Sequence, residues 1–272
     1  MRIMKAMRFV WLSATMVLLI VGTSARAERI TFNTSTLSQN DTSWLVTGKG
    51  VTVEAYHVEK GANGWILSGP ASTGPNSSNY QIFGPSTRVS LTGGVVSNPG
   101  LGFNAANDFP GQPGFDSRPI GSGARLKSSV QFALIDFGRL VRVSEVVVTG
   151  NSNYDRSIWL AGGKSDLNIS SGNNLVSAFT GFSIQNLSDS QGIGRMVHSI
   201  SGLGTLQYLA IGTPPYEEDI GPFTTTGTRA SYFINSVQYT IANPEPGTLL
   251  LLGTGLLGLA GFRKLTLKKD QT

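Results

Sequence analysis

From Ser231 to Ile241 the side chains alternate, with Phe233, Val237, Tyr239 and Ile241 on one parity and Ser236, Gln238 and Thr240 on the other. A two-residue period belongs to a strand with one face in a core and the other in water. The pattern recurs where Val51, Val53 and Ala55 stand against Thr52, Glu54 and Tyr56. Further strands are predicted at 29–34, 88–96, 130–137, 142–149, 157–161 and 205–212, separated by clusters of Gly, Asn, Pro and Ser. No stretch between the two ends of the chain carries a helical period. The sequence therefore predicts an all-β body, a β-sandwich of jelly-roll type, rather than an alternation of strands and helices.

The two ends read differently. Arg2, Lys5 and Arg8 precede a mostly apolar run from Phe9 to Val21, and Ala25-Arg26-Ala27 fits the small-x-small cleavage rule. A signal peptide is expected over 1–27, with the mature chain starting at Glu28. At the other end, Pro244-Glu245-Pro246 fixes an extended backbone around one displayed carboxylate. Leu249 to Phe262 is then free of charge, and Arg263, Lys264, Lys268 and Lys269 follow. Fourteen residues of helix span roughly 21 Å against a hydrocarbon core of about 30 Å, short for a permanent anchor. By the positive-inside rule the basic end stays in the cytoplasm and everything before Pro244 lies outside.

Charge is meaningful only with those ends set aside. The chain has 21 basic and 16 acidic residues; the leader holds four of the basic ones, and the tail from Pro244 holds four basic and two acidic. The body keeps 13 basic and 14 acidic residues, a net charge of −1. The apparent basicity thus belongs to membrane topology, and nucleic-acid binding, which needs a basic face on the body, is excluded as an expectation. About 216 residues remain between the ends, enough for one domain with its own core. The chain has no cysteine, so disulfides, thiolate nucleophiles and thiolate metal sites are all ruled out.

The tail closely resembles the PEP-CTERM sorting signal of Gram-negative, exopolysaccharide-producing bacteria. The likeness rests on Asn243-Pro244-Glu245-Pro246, on Gly247-Thr248, on the Leu/Gly-rich run with Gly253, Gly255, Gly258 and Gly261, and on the Arg263-Lys264 stop. The family usually has a small apolar residue in place of Asn243 and Ser or Ala in place of Gly247. The resemblance implies a substrate of exosortase, a multi-pass membrane enzyme, held only transiently in the inner membrane and then delivered to the cell surface or extracellular matrix. It assigns 243–272 to the sorting signal and leaves 28–242 as the β-sandwich domain. The passage 101–150 also looks like the β-sandwich body of some PEP-CTERM proteins and, more distantly, like galactose-binding-like domains.

Two loops of the body carry candidate ligands. Residues 98–123 contain four prolines and six glycines, which disfavour regular structure over an unusual length. Within them Asn104, Asn107, Asp108 and Asp116 offer the oxygen atoms that calcium prefers, and the same residues are turn formers. In the loop 150–157, Asn151, Asn153 and Asp155 alternate like the start of an EF-hand, but Arg156 replaces the glycine and Gly162 the terminal acid. A hairpin turn is expected there. Calcium is the one cofactor these loops admit; whether any metal binds is left open.

Catalytic motifs are missing from the sequence. His57 and His198 are far apart, no G-x-S-x-G or H-E-x-x-H occurs, and Glu217-Glu218-Asp219 reads as a solvated loop. Gly253-Thr254-Gly255-Leu256-Leu257-Gly258 fits a dinucleotide fingerprint only formally, because no strand precedes it. Among the aromatic residues Trp44, Trp65, Tyr80, Tyr154, Trp159 and Tyr216, only Tyr154 and Tyr216 sit in polar loops suited to stacking on sugar rings. The expectation is a non-enzymatic exported protein whose body binds glycan or builds exopolysaccharide matrix. Its competitors are a secreted polysaccharide hydrolase and a plain C-terminally anchored periplasmic protein.

Overall fold

A computed structural model describes residues 27–32, 37–39, 44–46, 48–61, 64–67, 80–83, 88–91, 94–97, 101–105, 115–116, 119–120, 127–150, 155–165, 167, 173–190, 192, 194–215, 219–225, 230–242 and 253–255. The strands are β1 (Ala27–Thr31), β2 (Leu37–Gln39), β3 (Trp44–Val46), β4 (Val51–Gly61), β5 (Gly64–Leu67), β6 (Tyr80–Phe83), β7 (Arg88–Leu91), β8 (Gly94–Ser97) and β9 (Gly102–Ala105). They continue as β10 (Phe115–Asp116), β11 (Pro119–Ile120), β12 (Lys127–Gly150), β13 (Ile158–Gly163), β14 (Ser183–Leu187), β15 (Gly194–Ser199), β16 (Leu206–Gly212) and β17 (Ser231–Ile241). A single helical turn, α1 (Leu175–Ala178), is capped by Asn174, whose side chain accepts from the Val176 amide at 2.9 Å.

The strand β12 organises the body. Sequence reading places two strands at 130–137 and 142–149, whereas the structure joins them into one of 24 residues. Its first arm pairs with β4 and β16 and its second with β15 and β17, all antiparallel. Between the arms the register slips, and Gly138 adopts φ +62°, with its amide donating to Asp136 Oδ1 at 2.7 Å. A side chain there would be strained, and its Cβ would stand 3.2 Å from the Gly50 carbonyl oxygen. One neighbour row runs β14-β13-β16-β12-β4-β3-β2; the other half carries β15, β17, β1 and β10. The chain is an all-β antiparallel sandwich, in agreement with the jelly-roll class expected from its strand pattern.

The two halves face each other across a core of Val53, Ala133, Ile135 and Ile211 from one side and Val146, Val148, Ile234 and Val237 from the other. A second core lies on the outer face of the first half, where Phe132, Trp159, Phe179 and Phe223 pack with ring centroids 4.5–5.6 Å apart. Both parities of 130–135 are therefore buried, which explains their nearly unbroken apolar run. Burying each such aromatic contributes about 2–3 kcal/mol. The Trp159 indole N–H donates to the Thr213 carbonyl at 2.7 Å, so its one polar atom is satisfied in the core.

Three local expectations change. The proline- and glycine-rich stretch 98–123 is not wholly irregular: β10 pairs with β17, placing Asp116 opposite Ser231, and Leu101 bridges Ile234. The hairpin expected at 150–157 is not formed, because β12 and β13 are not partners: the end of β12 lies beside β15 and β17, whereas β13 pairs with β14 and β16. The predicted strand 88–96 is a hairpin of β7 and β8.

By packing, Ala27–Ile241 is one compact unit, and Met1–Arg26 with Ala242–Thr272 another. In the latter, Gly253, Thr254 and Gly255 are helical and exposed. No helix among the described residues is long and apolar enough to cross a membrane. Ala25, Pro244, Glu245, Pro246, Arg263 and Lys264 lie outside the described residues.

Candidate functional site

The register divides the sandwich into two ends. Ala27 pairs with Thr240, and Val141 pairs with Ile241, so the chain enters β1 and leaves β17 beside the β12 bend. At this terminal end Glu28 accepts from Lys49 Nζ at 2.8 Å and from the Tyr239 hydroxyl at 3.1 Å. The Lys49 hydrogen bond holds the Glu28 carboxyl below its ordinary pKa, while burial and the Glu28 charge push Tyr239 up to about 12. Arg29 bridges Glu145 and Gln238 across three neighbouring strands at 2.6 Å each.

The opposite, distal end is where Gly150, Gly194 and Tyr232 stand level and where β13 begins. The segment before β13 brings Asp155, Arg156 and Ser157 against the β14–β15 connection. Arg156 Nε pairs with Asp189 Oδ2 at 2.7 Å, with both side chains largely covered. Ser157 Oγ donates to the Asp189 carbonyl at 3.0 Å and accepts from the Asp189 amide at 2.8 Å. His198, 5% exposed on β15, places Nε2 3.0 Å from the Arg156 carbonyl oxygen. Asp155 is buried and fixed at its backbone, its carbonyl accepting from the Ser231 amide at 3.1 Å.

Burial sets the charge states of this network. It raises the Asp155 carboxyl above its usual range, helped by the neighbouring Asp189 charge. It lowers His198, assisted by the Arg156 charge and opposed by the hydrogen bond to Arg156 and by Asp189. His198 ties the Arg156 backbone to β15, a strand the sequence pattern did not reveal.

Of the calcium candidates, Asp155 alone has a described side chain; Asp116 is described only as backbone of β10, and Asn107, Asp108, Asn151 and Asn153 lie outside the described residues. Among the described residues no three His, Cys, Asp or Glu groups are placed to hold a metal ion. Trp65 and Trp159 are core, while Tyr154 and Tyr216 fall outside the described residues. Asp219 is exposed and accepts from the Thr225 amide at 2.6 Å, a turn-forming role. Sequence reading missed Asp189, which lies 33 positions beyond Arg156 and carries no local motif.

Beyond the end of β17, residues 244–264 match the family model described as the PEP-CTERM protein-sorting motif. The chain carries a PEP-CTERM sorting signal. The match contains all five residues singled out in the tail, Pro244, Glu245, Pro246, Arg263 and Lys264. No curated protein matches the PEP-CTERM chain.

Among solved structures the PEP-CTERM chain is similar to the C-terminal domain of a chitobiase from Bacteroides fragilis, at 13% identity over 61% of this chain and 97% of that one, with TM-score 0.31. It is similar to a family 32 carbohydrate-binding module from C. perfringens NanJ, solved with galactose, at 11% identity over 58% and 93%, with TM-score 0.27. A protein fragment from Bacteroides thetaiotaomicron matches at 6% identity over 43% of this chain, with TM-score 0.27; the chain spans 64% of that fragment, under two thirds of its length. At such identities no binding residue transfers from these proteins to this one.

Proposed function

We propose that this chain is an exported surface protein, delivered by its C-terminal signal to exosortase and presented with its distal loops toward extracellular glycan. The observation that carries the reading is the register: Ala27↔Thr240 and Val141↔Ile241 put the start of β1 and the end of β17, the strand that leads into the sorting motif, at one end of the sandwich. The Asp155, Arg156, Asp189 and His198 network and Gly150, where β12 ends, stand at the other end. Loops positioned by a sheet scaffold are where recognition residues concentrate. Asn, Asp and Arg side chains supply the paired donors and acceptors that sugar hydroxyls need. The body acts by binding, within the exopolysaccharide matrix, and without catalysis.

The test uses full-length protein matured in its host. Asn151→Ala with Asn153→Ala should cut retention on the host's purified exopolysaccharide while tail processing, followed by mass, stays normal. Equal retention would place recognition elsewhere. Release of shortened saccharides on incubation would instead favour the hydrolase.

A further inference from the structure

We infer that the terminal end of the sandwich is a contact surface for anionic lipid headgroups, used while the tail still holds the protein in the membrane. The inference rests on the reading of the tail as a membrane segment. Only seven residues, 242–248, separate the end of β17 from the apolar run, at most about 25 Å of extended chain. The two prolines among them stiffen that link. By chain length alone, the end of the body beside Ile241 stays within that reach of the apolar run.

What stands at that end suits a headgroup layer. The β12 bend exposes Leu140, 42% accessible, although its neighbours Phe137 and Val141 are buried. Arg139 and Arg142 flank it. Arg139 Nη2 donates to the Lys49 carbonyl at 3.2 Å and Arg142 Nε to Thr205 Oγ1 at 3.4 Å, and neither forms a salt bridge among the described residues. Lys49, on the adjoining β3–β4 turn, is partly exposed and paired with Glu28. The acids here are largely engaged elsewhere: Glu28 with Lys49 and Tyr239, feeling the Arg139 charge only as a lesser influence, and Asp136 with the Gly138 amide and Gln207 Nε2. An apolar tip between two guanidinium groups matches the boundary where acyl chains meet lipid phosphates. Arginine serves this role well because its fork binds phosphate bidentately.

The absence of native cysteine makes the test direct. Leu140→Cys and Val176→Cys, the latter 39% exposed on α1 at the distal side, would each carry a polarity-sensitive dye on the full chain. Each chain is reconstituted into phosphatidylglycerol–phosphatidylcholine vesicles holding a headgroup quencher, and flotation reports tail insertion separately. The expected result is flotation of both, with dye at 140 blue-shifted and quenched several-fold more than dye at 176. Arg139→Ser with Arg142→Ser should remove most of that difference without loss of flotation. Flotation with equal quenching at 140 and 176 overturns the contact surface and leaves the tail reading intact. Failure to float overturns the tail reading and this inference with it.

Discussion

Ala27 stands directly opposite Thr240 in the antiparallel pair of the first and last strands. The bond that the leader rule marks for cleavage, between Ala27 and Glu28, therefore lies inside a paired strand of the folded body. A processing enzyme needs that segment extended and unpaired, so cleavage at this bond is predicted to precede closure of β1 onto β17. A chain truncated before Ser231 should be cleaved as fast as wild type in a pulse-chase, while refolded full-length precursor should be cut far more slowly. Equal rates for folded and truncated precursors would refute this order, and a mature chain retaining Met1 would refute the leader itself.

His198 should make the body acid-sensitive. Its folded pKa lies below the ordinary value of 6.5, so the native state excludes a proton that the unfolded chain accepts. Its contribution to stability is thus present above about 6.5 and is lost as pH falls from there toward the folded value. Asp155 works in the opposite sense, its raised pKa favouring the native state at low pH, with that contribution lost as pH rises through the carboxylate range. Thermal melts from about pH 7.5 to 5.5 should show a decline in Tm that His198→Gln flattens. An unchanged slope in the variant would remove His198 as the cause.

Gly212 should tolerate no side chain. A Cβ there would lie 2.1 Å from Trp159 Cζ2, and the indole cannot retreat without losing its bond to the Thr213 carbonyl. Gly212→Ala should cost about 1–3 kcal/mol by overpacking, whereas Val197→Ala on the exposed face of β15 should stay within about 0.5 kcal/mol. Urea denaturation distinguishes them, and equal midpoints would show that the second core yields.

Glu245→Gln keeps both prolines and the apolar run but removes the one carboxylate, so sorting should fail while membrane insertion persists. Arg263→Ser with Lys264→Ser should instead weaken retention and topology, because basic residues after an apolar run favour the cytoplasmic side. Fractionation with intact mass on each variant separates the two. Normal processing and release of Glu245→Gln would make a plain anchor the better account.

The strands and the tail were legible because each depends on local pattern. Residues 231–241 form β17 over the expected span, but the alternation is interrupted. A register shift between Ile234 and Ser236 switches the core parity, so that Tyr232 and Ile234 join Val237 and Tyr239 in the core. Ser231, Asn235 and Ser236 are buried as well, the last on the face expected to be wet. Other features depend on distant partners. The lone Gly138 followed by Arg139 reads as a break between two strands, yet it is a bend within one: pairing to β4 and β16 runs up to Asp136 and, after a register shift, pairing resumes at Val141, with β17 and β15 along the second arm. β14 and β15 were missed because they are only partly buried and rich in polar residues, so their period is faint. The Arg156–Asp189 pair depends on two loops meeting across the sandwich, which no spacing encodes.

The placement of β17 also fixes how this protein bears load. It leaves toward the tail from one end, antiparallel to the second arm of β12 and matched to it through nine residue pairs, while that arm leads to the loop at the far end. Tension between a tethered tail and a ligand held by that loop runs along both strands in opposite directions, at right angles to the hydrogen bonds joining them. Those bonds are then sheared together rather than opened one by one. In single-molecule pulling, force applied between Ala242 and the 150–157 loop should unfold the body at markedly higher load than force applied across the strands, the behaviour expected of a mechanical clamp in flowing surroundings.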